Sequence, residues 1–206
     1  MAIPRKKVRE PSKDIVVFVE GADEINVLAS ILSDMNIEDI EIIEVGGKNS
    51  LADQFKSAVM TPGFSKVRSF GIVQDADDDS AAAFDRVRDV LTTNKFVAPK
   101  SSGTVVETGE RKVGILVLPG GSRNGYLEDL FLDAFKGTPA DACVESFAAC
   151  SEATGCKPFD SKRRAYAFLA AFDAPEPRLG RAFESGKVNG SHSSFDVIRD
   201  FLRQLI

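Results

Sequence analysis

Ile15-Val-Val-Phe-Val-Glu-Gly21 is a run of five apolar residues, four of them β-branched, that ends in an acid and a glycine. With no polar residue alternating in it, the run predicts a strand, Ile15–Val19, buried on both faces as in a parallel sheet. Outward from it, Ala22–Met35 has apolar residues at Ile25, Leu28, Ala29, Ile31 and Leu32, a helical spacing. Ile40–Val45 reads as a second strand, closed by Gly46-Gly47. Asn49–Met60 reads as a second helix, capped by Asn49 or Ser50 and stopped before Pro62. Val67–Gln74 is a third strand and Ser80–Leu91 a third helix. Three strand–helix units in succession imply a parallel sheet with right-handed crossovers.

Beyond residue 100 the regularity loosens. Gly103–Thr108 and Arg111–Leu118 read as two strands joined by a turn at Gly109-Glu110. Leu118-Pro-Gly-Gly-Ser-Arg-Asn-Gly125 is a loop. Helices are expected over Tyr126–Phe135, Pro139–Thr154, Lys162–Phe172 and Phe195–Leu202, with a break at Pro175 and Pro177. The chain divides into a basic flexible leader (1–13), an α/β core (14–120) and a helical C-terminal extension packed on that core (121–206).

Composition narrows the class. The 206 residues carry a net charge of −5, unevenly spread: +4 over residues 1–13, −12 over 14–156 and +3 over 157–206. An acidic middle between basic ends fits a metal-binding core with anion-attracting edges, and it also fits ordinary solvated surface. No apolar run is long enough to span a membrane, and the leader has no apolar signal segment, so a cytoplasmic location is expected. Cys143, Cys150 and Cys156 form no C-x-x-C pair; Cys143 and Cys150 read as buried small hydrophobes on a helix. His192 is the single histidine, which argues against a conventional zinc site, and it reads as a loop residue.

The chemistry is expected at the strand ends. In parallel α/β sheets ligands bind beyond the carboxyl ends of the strands, where strand order reverses. The first strand runs into Glu20 and the third into Asp75-Ala-Asp-Asp-Asp79. In an order 2-1-3 these acids converge, and several carboxylates so close need a cation between them. Mg²⁺, with Mn²⁺ as a substitute, is the natural guest: a hard ion that takes oxygen ligands and keeps waters for a substrate phosphate. Acids before a helix also cap it and meet its positive end, and Asp78 and Asp79 read that way. Glu24, one helical turn past Glu20, can face the same crevice or solvent. Lys48 beside Gly46-Gly47 and Arg123 in the glycine-rich loop are candidate phosphate contacts.

Glu20-Gly-Ala-Asp-Glu24, Val45-Gly-Gly-Lys-Asn49 and Asp75-Ala-Asp77 together resemble the Toprim domain. That domain is shared by topoisomerases, bacterial primases, overcoming-lysogenization-defect (OLD) nucleases and a ribosomal-RNA maturation nuclease. The resemblance covers about residues 14–120 and implies a Toprim-like α/β fold: a parallel sheet with flanking helices, here with a helical C-terminal extension. Gly125-Tyr-Leu-Glu-Asp-Leu-Phe-Leu132, Ser161-Lys-Arg-Arg-Ala-Tyr-Ala167 and the Leu179-Gly…Phe195-Asp…Phe201-Leu tail resemble small stand-alone Toprim-like proteins of unknown function, related to the OLD-type branch. That branch implies a further acidic ligand and a lysine, for which Glu128 and Lys162 are the matching positions. The sequence departs from it in having Glu24 where Asp is common, and Gln74 before Asp75.

The resemblance implies that Glu20, Asp75 and Asp77 ligate one ion and that Glu24 and Glu128 help to complete a second. Glu20 and Lys162 are then the catalytic candidates, Lys162 meeting charge that develops on phosphate. With Arg163 and Arg164 it can instead form the solvated basic start of a helix. The implied activity is that of a Mg²⁺-dependent nuclease or phosphotransfer protein acting on nucleic-acid phosphodiesters. The alternative is a non-catalytic metal- or nucleic-acid-binding module of a larger complex, acting as a homo-oligomer or with a partner protein. A receiver domain needs an acidic pair after the first strand, and a haloacid-dehalogenase-type phosphatase needs Asp-x-Asp there; Glu20-Gly21 fits neither.

Overall fold

The structure, a computed structural model, describes residues 9–109 and 111–206. Five strands, β1 (Ile15–Val19), β2 (Ile40–Glu44), β3 (Ser69–Asp75), β4 (Thr104–Thr108) and β5 (Arg111–Leu118), form one sheet in the order β2-β1-β3-β5-β4. β1 pairs in parallel with β2 and with β3, and β3 pairs in parallel with β5. β4 lies antiparallel to β5 at the edge, as a hairpin requires. β1 therefore sits beside β3, and the order reverses between them.

Among the described residues eight helices surround the sheet: α1 (Ala22–Asp34), α2 (Leu51–Val59), α3 (Ser80–Thr93), α4 (Leu127–Phe135), α5 (Pro139–Ala153), α6 (Ser161–Ala170), α7 (Leu179–Glu184) and α8 (Asp196–Leu205). Strand alternation divides the core in two. Val16, Phe18, Phe70, Ile72, Ile115 and Val117 point to the side covered by α2 and α3. There Phe18, Phe55, Phe64, Phe70 and Phe96 interlock, largely edge to face, with centroids 5.0–6.4 Å apart. Val17, Val19, Val73, Leu116 and Leu118 point to the other side, against α1 and the C-terminal helices.

The C-terminal helices cover that second face closely. Gly71 and Gly114 are register partners on β3 and β5. A Cβ on either would come within 2.7 Å of the Phe201 ring, so the two glycines form the floor on which α8 rests. The sequence pattern misses three short elements. Pro62, read as a stop, opens a 3₁₀ turn over Pro62–Lys66; a second covers Ser193–Phe195, and α7 is the third. Their length gives no periodicity to read.

Two local expectations are corrected. Cys143 and Cys150 are exposed, as is Cys156; Val144 and Ala148 hold the buried stripe of α5. Ser50 occupies the N-cap position of α2 without capping it, because its hydroxyl donates to the Gly47 and Val45 carbonyls instead. Residues 1–8 of the leader and Glu110 of the hairpin turn lie outside the described residues. Of the remaining leader, Ser12 donates its N–H and hydroxyl to Glu41, and Glu10 accepts from the Gly63 N–H. No helix among the described residues is long and apolar enough to cross a membrane.

Candidate functional site

The site is built from the outlets of β1, β2 and β3. At the end of β3, Asp75 points to the α1 side and is 5% exposed. Its Oδ1 accepts the Leu127 N–H (2.9 Å) at the first turn of α4, where free amides and the helix dipole favour an anion. The chain then leaves the sheet. The Ala76 N–H donates to the Leu118 carbonyl, and Asp77 makes a single antiparallel bridge with Gly125. Asp77 adopts the left-handed conformation (φ 53°), which Asp tolerates better than most residues. Past this kink Asp77 meets Lys48 and lies within electrostatic reach of Glu20. Asp79 caps α3, accepting the Ala82 N–H (2.9 Å), as read from its position.

Glu20 leaves β1 over the turn that follows β2; a Cβ on Gly47 would lie 3.4 Å from its Oε2. Burial, then the charges of Glu24 and Asp77, push the Glu20 carboxyl up to about 7, against the pull of Lys162 and Arg86. Glu24 accepts the Gly21 N–H (3.0 Å), closing the first turn of α1. Its carboxyl is nevertheless raised, chiefly by burial. Asp75 is raised well above the ordinary range by burial, then by Glu24, Glu20 and Glu128. Glu128, in the first turn of α4, is raised by burial, with Lys162 opposing.

Lys162 enters the same space from α6. Its ammonium lies 3.8 Å from Asp75 Oδ2 and 4.2 Å from the centre of the Tyr126 ring. Burial pulls its pKa down, but Glu128, Asp75, Tyr126 and Asp77 together raise it, so it stays charged. Lys48 Nζ sits 3.0 Å from Asp77 Oδ2. Glu20, Glu24, Asp75, Asp77, Glu128, Lys162 and Lys48 are thus brought together. Arg123 is not: its guanidinium pairs with Asp133 (2.9 Å), and it lines a separate cavity with His192.

Three further residues bear on the site, of which the sequence singled out only Gln74, as a departure from the resembled pattern. Arg86 on α3 reaches Glu20 electrostatically, and its Nη1 is buried without a hydrogen-bond partner among the described residues. Gln74, 1% exposed, likewise leaves both amide atoms unpaired, on the strand face that Glu20 continues. Asp129 is the third. Its Oδ2 accepts the Tyr126 N–H (2.7 Å) and its Oδ1 the Ser161 hydroxyl (2.5 Å), tying the start of α6 to the start of α4. Gly125 leaves room for this carboxylate, since a Cβ there, at φ 133°, would fall 2.3 Å from Asp129 Oδ2. A Tyr-x-x-Asp spacing at a helix start was the available signal.

Among the described residues no three carboxylate, imidazole or thiol groups are arranged to grip one metal ion. The donor set still has the chemistry of a hard dication site: all-oxygen, and crowded enough that burial and mutual repulsion raise four of its carboxyls. In this arrangement part of the compensating positive charge comes from Lys48 on Asp77 and Lys162 on Asp75.

Fold and site together define an α/β protein with a mostly parallel five-stranded sheet and an acidic crevice at its switch point. The chain belongs to the family described as protein of unknown function (DUF3226), whose model matches residues 14–206. Among solved structures it is similar to the C-terminal region of the Burkholderia pseudomallei OLD protein (17% identity, TM-score 0.53, covering 94% of this chain and 96% of that one). It is also similar to the C-terminal region of the Xanthomonas campestris pv. campestris OLD protein (18% identity, TM-score 0.44, 94% of each chain). The first likeness shows the fold. No curated protein matches the chain.

Proposed function

We propose that this chain is a Mg²⁺-dependent Toprim-like nuclease, or a phosphotransfer protein of that kind, acting on nucleic-acid phosphodiesters. The observation that carries the reading is the convergence on Asp75 of carboxyls from β1, α1 and α4, with the Lys162 ammonium among them. Glu20, Asp75 and Asp77 would hold the ion, Mg²⁺ or Mn²⁺, with Glu24 and Glu128 available to a second. When bound, such an ion polarises a phosphoryl oxygen and offsets its charge. The chain's own residues do the rest. Asp75, anchored by the Leu127 N–H, keeps a fixed orientation. Lys162, held over Tyr126, faces a phosphate and stabilises charge building on it. Lys48 is placed to transfer from Asp77 to the same phosphate once a cation satisfies Asp77. Glu20, with a pKa near neutrality, can take or hold a proton at its carboxylate.

A second reading, a non-catalytic metal- or nucleic-acid-binding module, is favoured by the Burkholderia neighbour being one region of a longer protein. The experiment that separates them is incubation with labelled plasmid, single-stranded DNA and RNA in Mg²⁺ or Mn²⁺. Cleavage that disappears in Asp75→Asn supports the enzyme. Calorimetric Mg²⁺ binding without cleavage of any substrate supports the module.

A further inference from the structure

Beside the crevice, α5, the connection 154–160 and α6 enclose a groove of about 590 Å³ that the carboxylate site does not use. Its walls carry Phe147, Phe159 and Tyr166, and its rim carries Lys157 and Arg163; no carboxylate lines it. Phe147 and Tyr166 are 56% and 60% exposed, unusual for large rings in a chain most of whose other aromatics pack into or against the core. Phe159 stands edge-on to Phe147 (centroids 5.7 Å apart, planes at 86°), bracing that ring while leaving it open. The Arg163 guanidinium sits 5.7 Å from the Phe159 ring centre.

The surrounding acids are already engaged. Glu145 pairs with Arg164, Glu152 accepts the Phe159 N–H, Asp160 accepts the Arg163 N–H and Asp141 accepts the Gly137 N–H. Lys157 and Arg163 make no ion pair with a carboxylate among the described residues; the Arg163 guanidinium donates to the Lys157 carbonyl (2.9 Å), which holds the two cations together on the rim, where an anion can meet them. Position supplies the link to the crevice. Tyr166 lies one helical turn beyond Lys162 on α6, a rise of about 6 Å, and Lys162 touches Asp75.

We propose that this groove is a stacking platform for single-stranded nucleic acid, holding bases on Tyr166 and Phe147 while Lys157 and Arg163 meet the backbone, and delivering the strand to the carboxylate crevice. Open aromatic faces with interleaved cations and no acids are what a single strand needs, because every base has a face to stack and every phosphate a charge to meet. A duplex keeps its bases stacked on one another and cannot use the rings. The proposal rests on the nucleic-acid reading of the crevice, and its test is kept separate from cleavage.

The test is fluorescence anisotropy with a labelled single-stranded oligonucleotide and the matching blunt duplex, in EDTA. Single strands should bind more tightly than duplex. Tyr166→Ala and Phe147→Ala should each weaken single-strand binding about tenfold, the scale of losing one stacked base, with unchanged circular dichroism because both rings are exposed. Tyr166→Phe keeps the ring and should bind like the parent. Arg163→Ala should weaken binding at low salt and less at high salt. Unchanged affinity in both ring variants overturns the platform. So does a Tyr166→Ala variant that alters self-association in sedimentation while binding the oligonucleotide normally. Absence of cleavage in Mg²⁺ with the ring dependence intact would remove the nuclease reading alone.

Discussion

At the residue scale the decisive feature is carboxyl groups held where they do not want to be charged. Glu20, with a folded-state pKa of about 7 against an ordinary value of 4.5, binds more protons in the native state than in the unfolded chain between those two values. Its contribution to stability therefore falls as pH rises through that window and is lowest above it. Without added metal, the protein should lose stability from pH 4.5 to 7, on the order of 2 kcal/mol from this group. Glu20→Gln should flatten that part of the profile in urea titrations at several pH values. A profile of the same slope in Glu20→Gln would assign the effect elsewhere. Mg²⁺ should reverse the trend, because an ion that needs the ionised forms binds more tightly as pH rises through about 7 and releases protons as it does so. Asp75→Asn should abolish calorimetric Mg²⁺ binding while leaving the fold as stable or firmer, since the amide oxygen can still accept the Leu127 N–H and the repulsion is gone. Glu20, Asp75 and Asp77 were legible because acids at strand ends have a fixed place once strand order is guessed. Arg123 was not, since a loop residue's direction depends on Asp133, a partner ten positions away that no local pattern announces. Cys143 and Cys150, seven apart, share a face of α5, but it is the outer one.

At the element scale, the position of Lys162 is a property of how α6 meets α4. The Asp129 carboxylate bridges the Tyr126 N–H and the Ser161 hydroxyl, so one acid fixes two helix starts and, through them, the lysine one residue on. Asp129→Ala leaves both donors without their partner. It should cost about 1–3 kcal/mol of stability and reduce any cleavage rate toward that of Lys162→Ala, itself expected to fall about a hundredfold. Ser161→Ala, which removes only the bridge, should change stability by about 1 kcal/mol and lower the rate without raising KM. A Ser161→Ala enzyme as fast as the parent would show that α6 is held by its apolar face alone. The strands were legible from apolar runs and the longer helices from periodicity. By contrast α7 forms through contact: the Gly180 N–H donates to Asp23 Oδ1 (3.1 Å), and a Cβ on Gly180 would press on α1 at 2.9–3.0 Å. Six residues with that dependence carry no signal of their own.

At the scale of the whole molecule, residues 121–206, read from the sequence as a helical extension packed on the core, share with α1 the covering of one face of the sheet that positions the crevice. Phe201 is fully buried, resting on the glycine pair of β3 and β5, with Leu202 and Leu205 buried beside it. β3 is also the strand that ends in Asp75. Pressure on its middle is therefore applied seven residues or fewer from the site, through a backbone paired on both sides by β1 and β5. Gly114→Ala would drive a methyl into the Phe201 ring and should destabilise by about 1–3 kcal/mol, the usual cost of overpacking. Phe201→Ala would open a cavity instead and should cost about 3–5 kcal/mol. If the two positions form one contact, combining Gly114→Ala with Phe201→Leu should recover part of the loss, because the smaller side chain makes room for the methyl; neighbours are expected to depart from additivity in this way. Urea unfolding of Gly114→Ala, Phe201→Leu and the double variant measures the coupling directly. Strictly additive losses would mean that α8 lies on the sheet without locking into it, and the crevice would then owe its shape to the strands and α4 alone.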